Sequence, residues 1–224
     1  MYVCRAIFTV GALTGLALAQ EHVSFPTQDG GVVYADVYGK GDRGIVLAHG
    51  GRFTKESWEK QATVLAHAGF RSVAIEFRGI GQSRGPGQSD MYTAPLQLDV
   101  LAAVQYLRKT GAKKVSLVGA SFGGDASAAA LIEAPPGEID RLVLLAALPD
   151  APPEKLKGRK LFIVARDDAD GAGPRLPRIR AQYEKAPEPK ELIVLDGSAH
   201  AQFLFQTDQG ERVMREILRF LAAP

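Results

Sequence analysis

Val115-Ser116-Leu117-Val118-Gly119-Ala120-Ser121-Phe122-Gly123-Gly124 is the stretch around which the rest of the chain arranges itself. An apolar run stops at a serine between glycines, and a helical pattern begins at once. A strand that turns directly into a helix holds the turning residue in strained backbone geometry, with its side chain exposed at the edge of the sheet. Glycine at 119 and 123 suits that geometry, because a side chain there would strike Ser121 or hold the helix away from the strand. In a chain with 24 glycines, the G-x-S-x-G spacing alone is a weak signal. The strand-to-helix switch around it is what gives it weight.

Upstream, His22–Phe25 and Val32–Tyr38 alternate like two strands joined through Asp29-Gly30-Gly31, an antiparallel pair at a sheet edge. Gly44–Ala48 is a short continuous apolar run, as expected of a strand buried on both faces, and it leads into His49-Gly50-Gly51. A helix is expected from about Thr54 to Ala68, then a strand over Arg71–Phe77 and a Gly-rich loop from Arg78 to Gln88. Leu96, Val100, Leu101, Val104 and Leu107 mark one face of a further helix.

Downstream of the serine, a helix is expected over Phe122–Glu133, with buried-type strands at Arg141–Ala147 and Lys160–Ala165. A helix near Leu176–Lys185 precedes a strand over Glu191–Leu195. A closing helix carries Val213, Met214, Ile217, Leu218 and Leu221, with Asp208 and Glu211 spaced as a capping pair. This alternation implies an α/β fold: a mainly parallel central sheet with helices on both faces and the site at the carboxyl ends of the strands. Only Leu148–Arg159 separates two successive strands, so little chain is present for a lid or cap domain.

Length and 46% hydrophobic content suit one sizeable core, read as one domain over residues 20–224. The 27 basic and 25 acidic residues are interspersed, which argues against a nucleic-acid partner. Residues 1–19 read as a secretory signal: Arg5 is the only charge, Ala6–Ala19 is apolar, and Ala17-Leu18-Ala19 precedes Gln20. Cleavage there leaves no cysteine and implies a periplasmic or extracellular protein without membrane attachment. A retained segment would anchor the protein instead.

A serine hydroxyl needs a base to take its proton, and the base needs a third group to fix its tautomer. Of four histidines, only His49 and His200 stand at strand ends; His22 and His67 read as solvent or packing residues. His200, in Asp196-Gly197-Ser198-Ala199-His200, is placed to reach the serine, and His49 reads as scaffolding for its loop. The acid is expected in Arg166-Asp167-Asp168-Ala169-Asp170; Asp168 is chosen, with Asp167 a competitor and Asp150 a third candidate. Ser121, Asp168 and His200 thus occur in the nucleophile, acid, base order, each just past a strand.

That order, with His49-Gly50-Gly51, Arg78-Gly79-Ile80-Gly81-Gln82-Ser83 and Gly197-Ser198-Ala199-His200, resembles the α/β-hydrolases over nearly all of the chain after residue 20. The likeness is to small lidless bacterial members related to dienelactone hydrolases and serine esterases. Glu76 departs from the pattern, since many relatives carry Asp two residues before the Arg-Gly. The resemblance implies an oxyanion hole from the backbone N–H groups of Gly51 and Phe122. It also implies a small ester, thioester or lactone substrate and no cofactor.

Arg52, Arg78 and Arg84 suggest an acidic substrate, although solvated loop arginines account for them more simply. Trp58, Phe203 and Phe205 read as either pocket or core. A non-catalytic binding protein on the same scaffold is the alternative. A nucleotide enzyme is disfavoured because no phosphate loop and no third dinucleotide-loop glycine are present. The scattered histidines suggest no metal site.

Overall fold

In the computed structural model, which describes residues 20–87 and 90–224, the chain opens with a hairpin at a sheet edge. Strands β1 (Glu21–Pro26) and β2 (Val32–Tyr38) pair antiparallel. The expected Asp-Gly-Gly turn joins them, closed by Gly31 C=O accepting from Thr27 N–H at 2.9 Å. The remaining main-sheet strands are β3 (Arg43–Ala48), β4 (Arg71–Ile75), β5 (Lys114–Ala120), β6 (Arg141–Leu145), β7 (Arg159–Ala165) and, later, β10 (Lys190–Leu195). A two-residue ribbon, β8 (Ala169–Asp170) with β9 (Gly173–Pro174), lies between the last two.

The helices are α1 (Glu59–His67), α2 (Gln97–Lys109), α3 (Phe122–Glu133), α4 (Arg175–Lys185) and α5 (Gly210–Ala222). The eight main strands run in the order β1-β2-β4-β3-β5-β6-β7-β10, parallel from β4 onward. Each apolar strand feeds both faces alternately, as the two-residue period requires. In β3, Val46 and Ala48 join the core under α2, α3 and α4, whereas Ile45 and Leu47 join the core under α1 and α5.

Strand β4 ends at Ile75, two residues before the expected Phe77, and three further departures have a visible local reason. The helix expected from Thr54 begins as a 3₁₀ turn over Lys55–Trp58, with Ser57 N–H and hydroxyl both bonded to the Thr54 carbonyl, and becomes α-helical only at Glu59. Strand β6 stops at Leu145 because Ala146 turns left-handed, at φ 49°. The Asp208 and Glu211 cap is not formed. Helix α5 starts at Gly210, and the chain before it is held by Thr207, whose hydroxyl and carbonyl accept from Gln209 and Gly210 N–H.

The Gly-rich loop after β4 is fastened by a buried ion cluster. Arg78 is fully buried; its guanidinium meets Asp99 of α2 at 2.7 Å and Asp29 of the first hairpin at 2.6 Å, and its N–H bonds Asp99. A buried guanidinium is tolerable only with such complete pairing. This cluster removes Arg78 from the group of loop arginines that could face a substrate.

Candidate active site

The serine sits where β5 meets α3. Ser121 has φ 48° and ψ −118°, a combination that costs roughly 1–3 kcal/mol and persists only where its surroundings enforce it. Here Ser121 N–H bonds Leu145 C=O at 3.0 Å, and Ser121 C=O accepts from Gly124 and Asp125. A Cβ at Gly119 would lie 2.4 Å from the Gly123 carbonyl oxygen, and one at Gly123 would lie 2.2 Å from that of Ala48. The glycines are therefore required by close helix-to-sheet packing, and it is backbone, not Ser121, that a side chain would strike.

The other two predicted residues arrive on parallel neighbours. Ala165 and Leu195 are register partners at the ends of β7 and β10, so the loops after them leave the sheet side by side. Backbone bonds stitch those loops together, Arg166 N–H to Leu195 C=O and Asp167 N–H to Gly197 C=O. The consequence is a linear chain of hydrogen bonds: Ser121 Oγ lies 2.9 Å from His200 Nε2, and His200 Nδ1 lies 2.8 Å from Asp168 Oδ2. Nδ1 must carry the proton toward the carboxylate, which leaves Nε2 as the acceptor facing the hydroxyl.

Geometry separates the three acid candidates. Asp168 is buried against the imidazole, while Asp167 and Asp150 are exposed. Arg175 backs the acid. Its backbone N–H bonds the Asp168 carbonyl at 2.8 Å, and its guanidinium bonds Asp170 at 2.9 Å with Nε 3.6 Å from Asp168 Oδ1. The sequence pattern gave no warning of this arginine, because the β8–β9 ribbon that positions it is too short to leave a periodic trace.

His49 is fully buried between backbone groups: Nδ1–H donates to Gly50 C=O at 2.9 Å, and Nε2 accepts from Phe77 N–H at 3.4 Å. Burial lowers its pKa to about 4, so it stays neutral. His22 meets Asp36 at 2.6 Å on β1, and His67 bonds Thr63 C=O on α1. Trp58 is core, packed edge-on to Phe205 at 5.8 Å, and Phe203 lies partly exposed against Phe53.

Gly51 and Phe122, the two residues expected to supply anion donors, are neighbours in space. A Cβ at Gly51 would come within 3.2 Å of the Phe122 ring. Beside Phe122 is a cavity of about 250 Å³, walled by Met91, Tyr92, Phe122 and Ala126 and bordered by Asp125 and Asp150. Asp125 was not singled out in the sequence, although a position four residues after Ser121 on a helix shares the serine's face. Burial, with the Asp150 charge adding, pushes its carboxyl up to about 7.

Known proteins place this arrangement in context. A family profile for the α/β hydrolase fold matches residues 45–208. A bifunctional epoxide hydrolase from Sus scrofa is 34% identical over 82 residues, 36% of this chain and 14% of that protein. The chain spans less than half the length of the curated relatives it matches. An esterase from Exiguobacterium antarcticum superposes with TM-score 0.74 at 16% identity, covering 91% of this chain and 100% of that one. A dienelactone hydrolase from Anabaena variabilis gives TM-score 0.71 at 20% identity, covering 91% and 96%. At those identities the superpositions speak to fold alone. The profile match, which runs from β3 past the turn that follows His200, makes the chain a member of the α/β hydrolase fold family.

Proposed function

We propose that this protein is a serine hydrolase that cleaves a small carboxylic ester, or a thioester or lactone, through an acyl-enzyme. The observation that carries the reading is the hydrogen-bonded chain from Ser121 Oγ through His200 to Asp168. Ser121 Oγ attacks the carbonyl carbon as its proton passes to His200 Nε2, and Asp168 stabilises the imidazolium through Nδ1–H. The carbonyl oxygen becomes an oxyanion facing the N–H groups of Gly51 and Phe122, where one such donor is worth roughly 3–4 kcal/mol. When the tetrahedral species collapses, His200 returns the proton to the leaving alcohol. Water then repeats the sequence on the acyl-Ser121, releasing the acid and restoring the hydroxyl.

The cavity beside Phe122 is assigned to the acyl chain. Its volume suits a short chain, and its bordering carboxyls, Asp125 and Asp150, disfavour an anionic one. That runs against the substrate charge suggested by Arg52, Arg78 and Arg84, of which Arg78 is consumed by its ion cluster and Arg84 bonds the carbonyls of Gly81 and Ser83, leaving only Arg52 exposed without such an account.

A fluorophosphonate probe tests the reading. Stoichiometric labelling of Ser121, lost in Ser121→Ala together with hydrolysis of short neutral p-nitrophenyl esters, is expected. Absence of labelling in the folded protein would favour the binding-protein alternative. The expected export signal falls on residues 1–19, outside the described residues; we propose that this segment directs export and is removed after Ala19. N-terminal sequencing of the exported protein is expected to begin at Gln20. Among the described residues, no helix is long and apolar enough to cross a membrane.

A further inference from the structure

Gln202 has no place in the reaction just described, yet it is buried, with 3% exposure, between the two loops the reaction needs. Its Oε1 accepts from Gly50 N–H at 2.7 Å, and its Nε2 donates to the Ser57 hydroxyl, which itself donates to Thr54 C=O. The amide orientation is therefore determined. Gly50 N–H can only donate, and the Ser57 hydroxyl hydrogen is already engaged, so oxygen faces Gly50 and nitrogen faces Ser57.

Gly50 is held at both of its peptide planes. Gln202 fixes the plane that contains Gly50 N–H. The plane that contains Gly50 C=O and Gly51 N–H is fixed by donors to the carbonyl, His49 Nδ1–H at 2.9 Å and Phe53 N–H at 3.0 Å. In a trans peptide the C=O and N–H point in opposite directions, so holding the Gly50 carbonyl aims the Gly51 N–H the other way.

The residue between His200 and Gln202 completes the device. Ala201 is buried and left-handed at φ 53°, one of three non-glycine residues with positive φ among the described residues, with Ser121 and Ala146. A non-glycine residue in that conformation persists only where the surrounding structure enforces it. His200 is anchored on Asp168 and Ser121, and Gln202 is anchored 152 residues away in sequence on Gly50.

We propose that Gln202 is a positioning residue: its bond to Gly50 N–H fixes the peptide plane that precedes the one carrying Gly51 N–H, restricting how that donor can turn, and locks the anion-binding loop to the turn that carries the base. This rests on the serine-hydrolase reading for its kinetic consequence but not for its structural one. The first arm of the test needs no substrate. In Gln202→Met, which keeps side-chain length and packing, the Gly50 amide proton resonance should shift upfield, and its hydrogen exchange should accelerate at least tenfold. Ser57→Ala, which leaves Gln202 in place without its second anchor, should move both in the same direction by less.

In the second arm, Gln202→Met lowers kcat for a short ester by 10- to 100-fold, while KM stays within about twofold. Affinity for a trifluoromethyl ketone that forms the tetrahedral adduct falls by a similar factor. The acidic limb of the pH profile is unmoved, because the base keeps its own partners. Gln202→Glu, which retains an acceptor for Gly50, recovers part of the lost kcat. Unchanged Gly50 resonance and exchange in folded Gln202→Met would overturn the proposal whatever the substrate. So would a kcat loss matched by KM without weakened ketone binding. An inactive wild type would instead count against the esterase reading and leave the amide arm standing.

Discussion

His49 and His200 both follow a parallel strand at the same edge of the sheet, His49 directly after β3 and His200 five residues beyond β10, and they have opposite chemistry. His49 has both ring nitrogens bonded to backbone, no exposure to water and a pKa held low by burial. His200 has a side chain 29% exposed, a carboxylate on one nitrogen and a hydroxyl on the other. An imidazole becomes a base when its partners can exchange protons and solvent can reach it. The same ring becomes a strut when its partners are amides.

The contrast breaks most readily at the base itself. His200→Ala and Ser121→Ala should each reduce ester turnover by roughly a million-fold, since residues that act as a unit fail as a unit. His49→Gln, which can still donate to Gly50, should cost no more than about tenfold in activity. Steady-state rates on one ester separate the two, and comparable losses at 49 and 200 would erase the distinction. Next in size is the acid. Asp168→Asn should lower kcat by roughly ten-thousand-fold by stabilising the wrong tautomer of His200. Asp167→Asn, a change at an exposed carboxyl, should stay within about twofold.

Stability against pH sharpens the contrast further. Unfolded His49 binds its proton near 6.5 and folded His49 only near 4, so the unfolded state holds more protons between those values and stability rises with pH there. The contribution amounts to about 3 kcal/mol at pH 7 and is lost as pH falls toward 4. In denaturant titrations the wild type should therefore gain stability with pH between 4 and 7 more steeply than His49→Gln, by about 3 kcal/mol over that range. Asp125 has the opposite sign: its carboxyl titrates near 7 folded against 3.8 unfolded, so stability falls as pH rises through that window. Asp125→Asn should gain about 2 kcal/mol at pH 8 and nothing at pH 4, the partial exposure of the group reducing the full effect. The two opposing slopes overlap, so each becomes visible only when the other is removed.

The difference between the histidines was only half legible in the sequence. Strand ends, the Gly119–Gly123 elbow and the chain order of Ser121, Asp168 and His200 follow from periodicity and turn chemistry, because these are local signals. The choice between Asp167 and Asp168 depends on which of two adjacent carboxyls a loop turns inward. That is decided by backbone bonds from the neighbouring strand's loop, not by residue type. Gln202 to Gly50 and Arg78 to Asp29 and Asp99 lie beyond that reach, since they join residues whose separation in the chain carries no period. Arg78 shows the cost of reading exposure from loop position: a charged residue in a Gly-rich loop is the most thoroughly enclosed cation of its neighbourhood.

Strand β10 ends the sheet, hydrogen-bonded on one side only, and residues 190–194 are merely half-buried. The serine, by contrast, grows from β5 at the sheet's centre. Peripheral strands open at lower free energy than central ones, so warming should detach the imidazole while the nucleophile keeps its seat. Loss of turnover on a temperature ramp is thus expected to precede the drop in far-ultraviolet ellipticity, and to reverse on cooling if the ramp is halted between the two. Pinning that outer strand to β7, for instance with a cross-strand disulfide, should bring the two midpoints together.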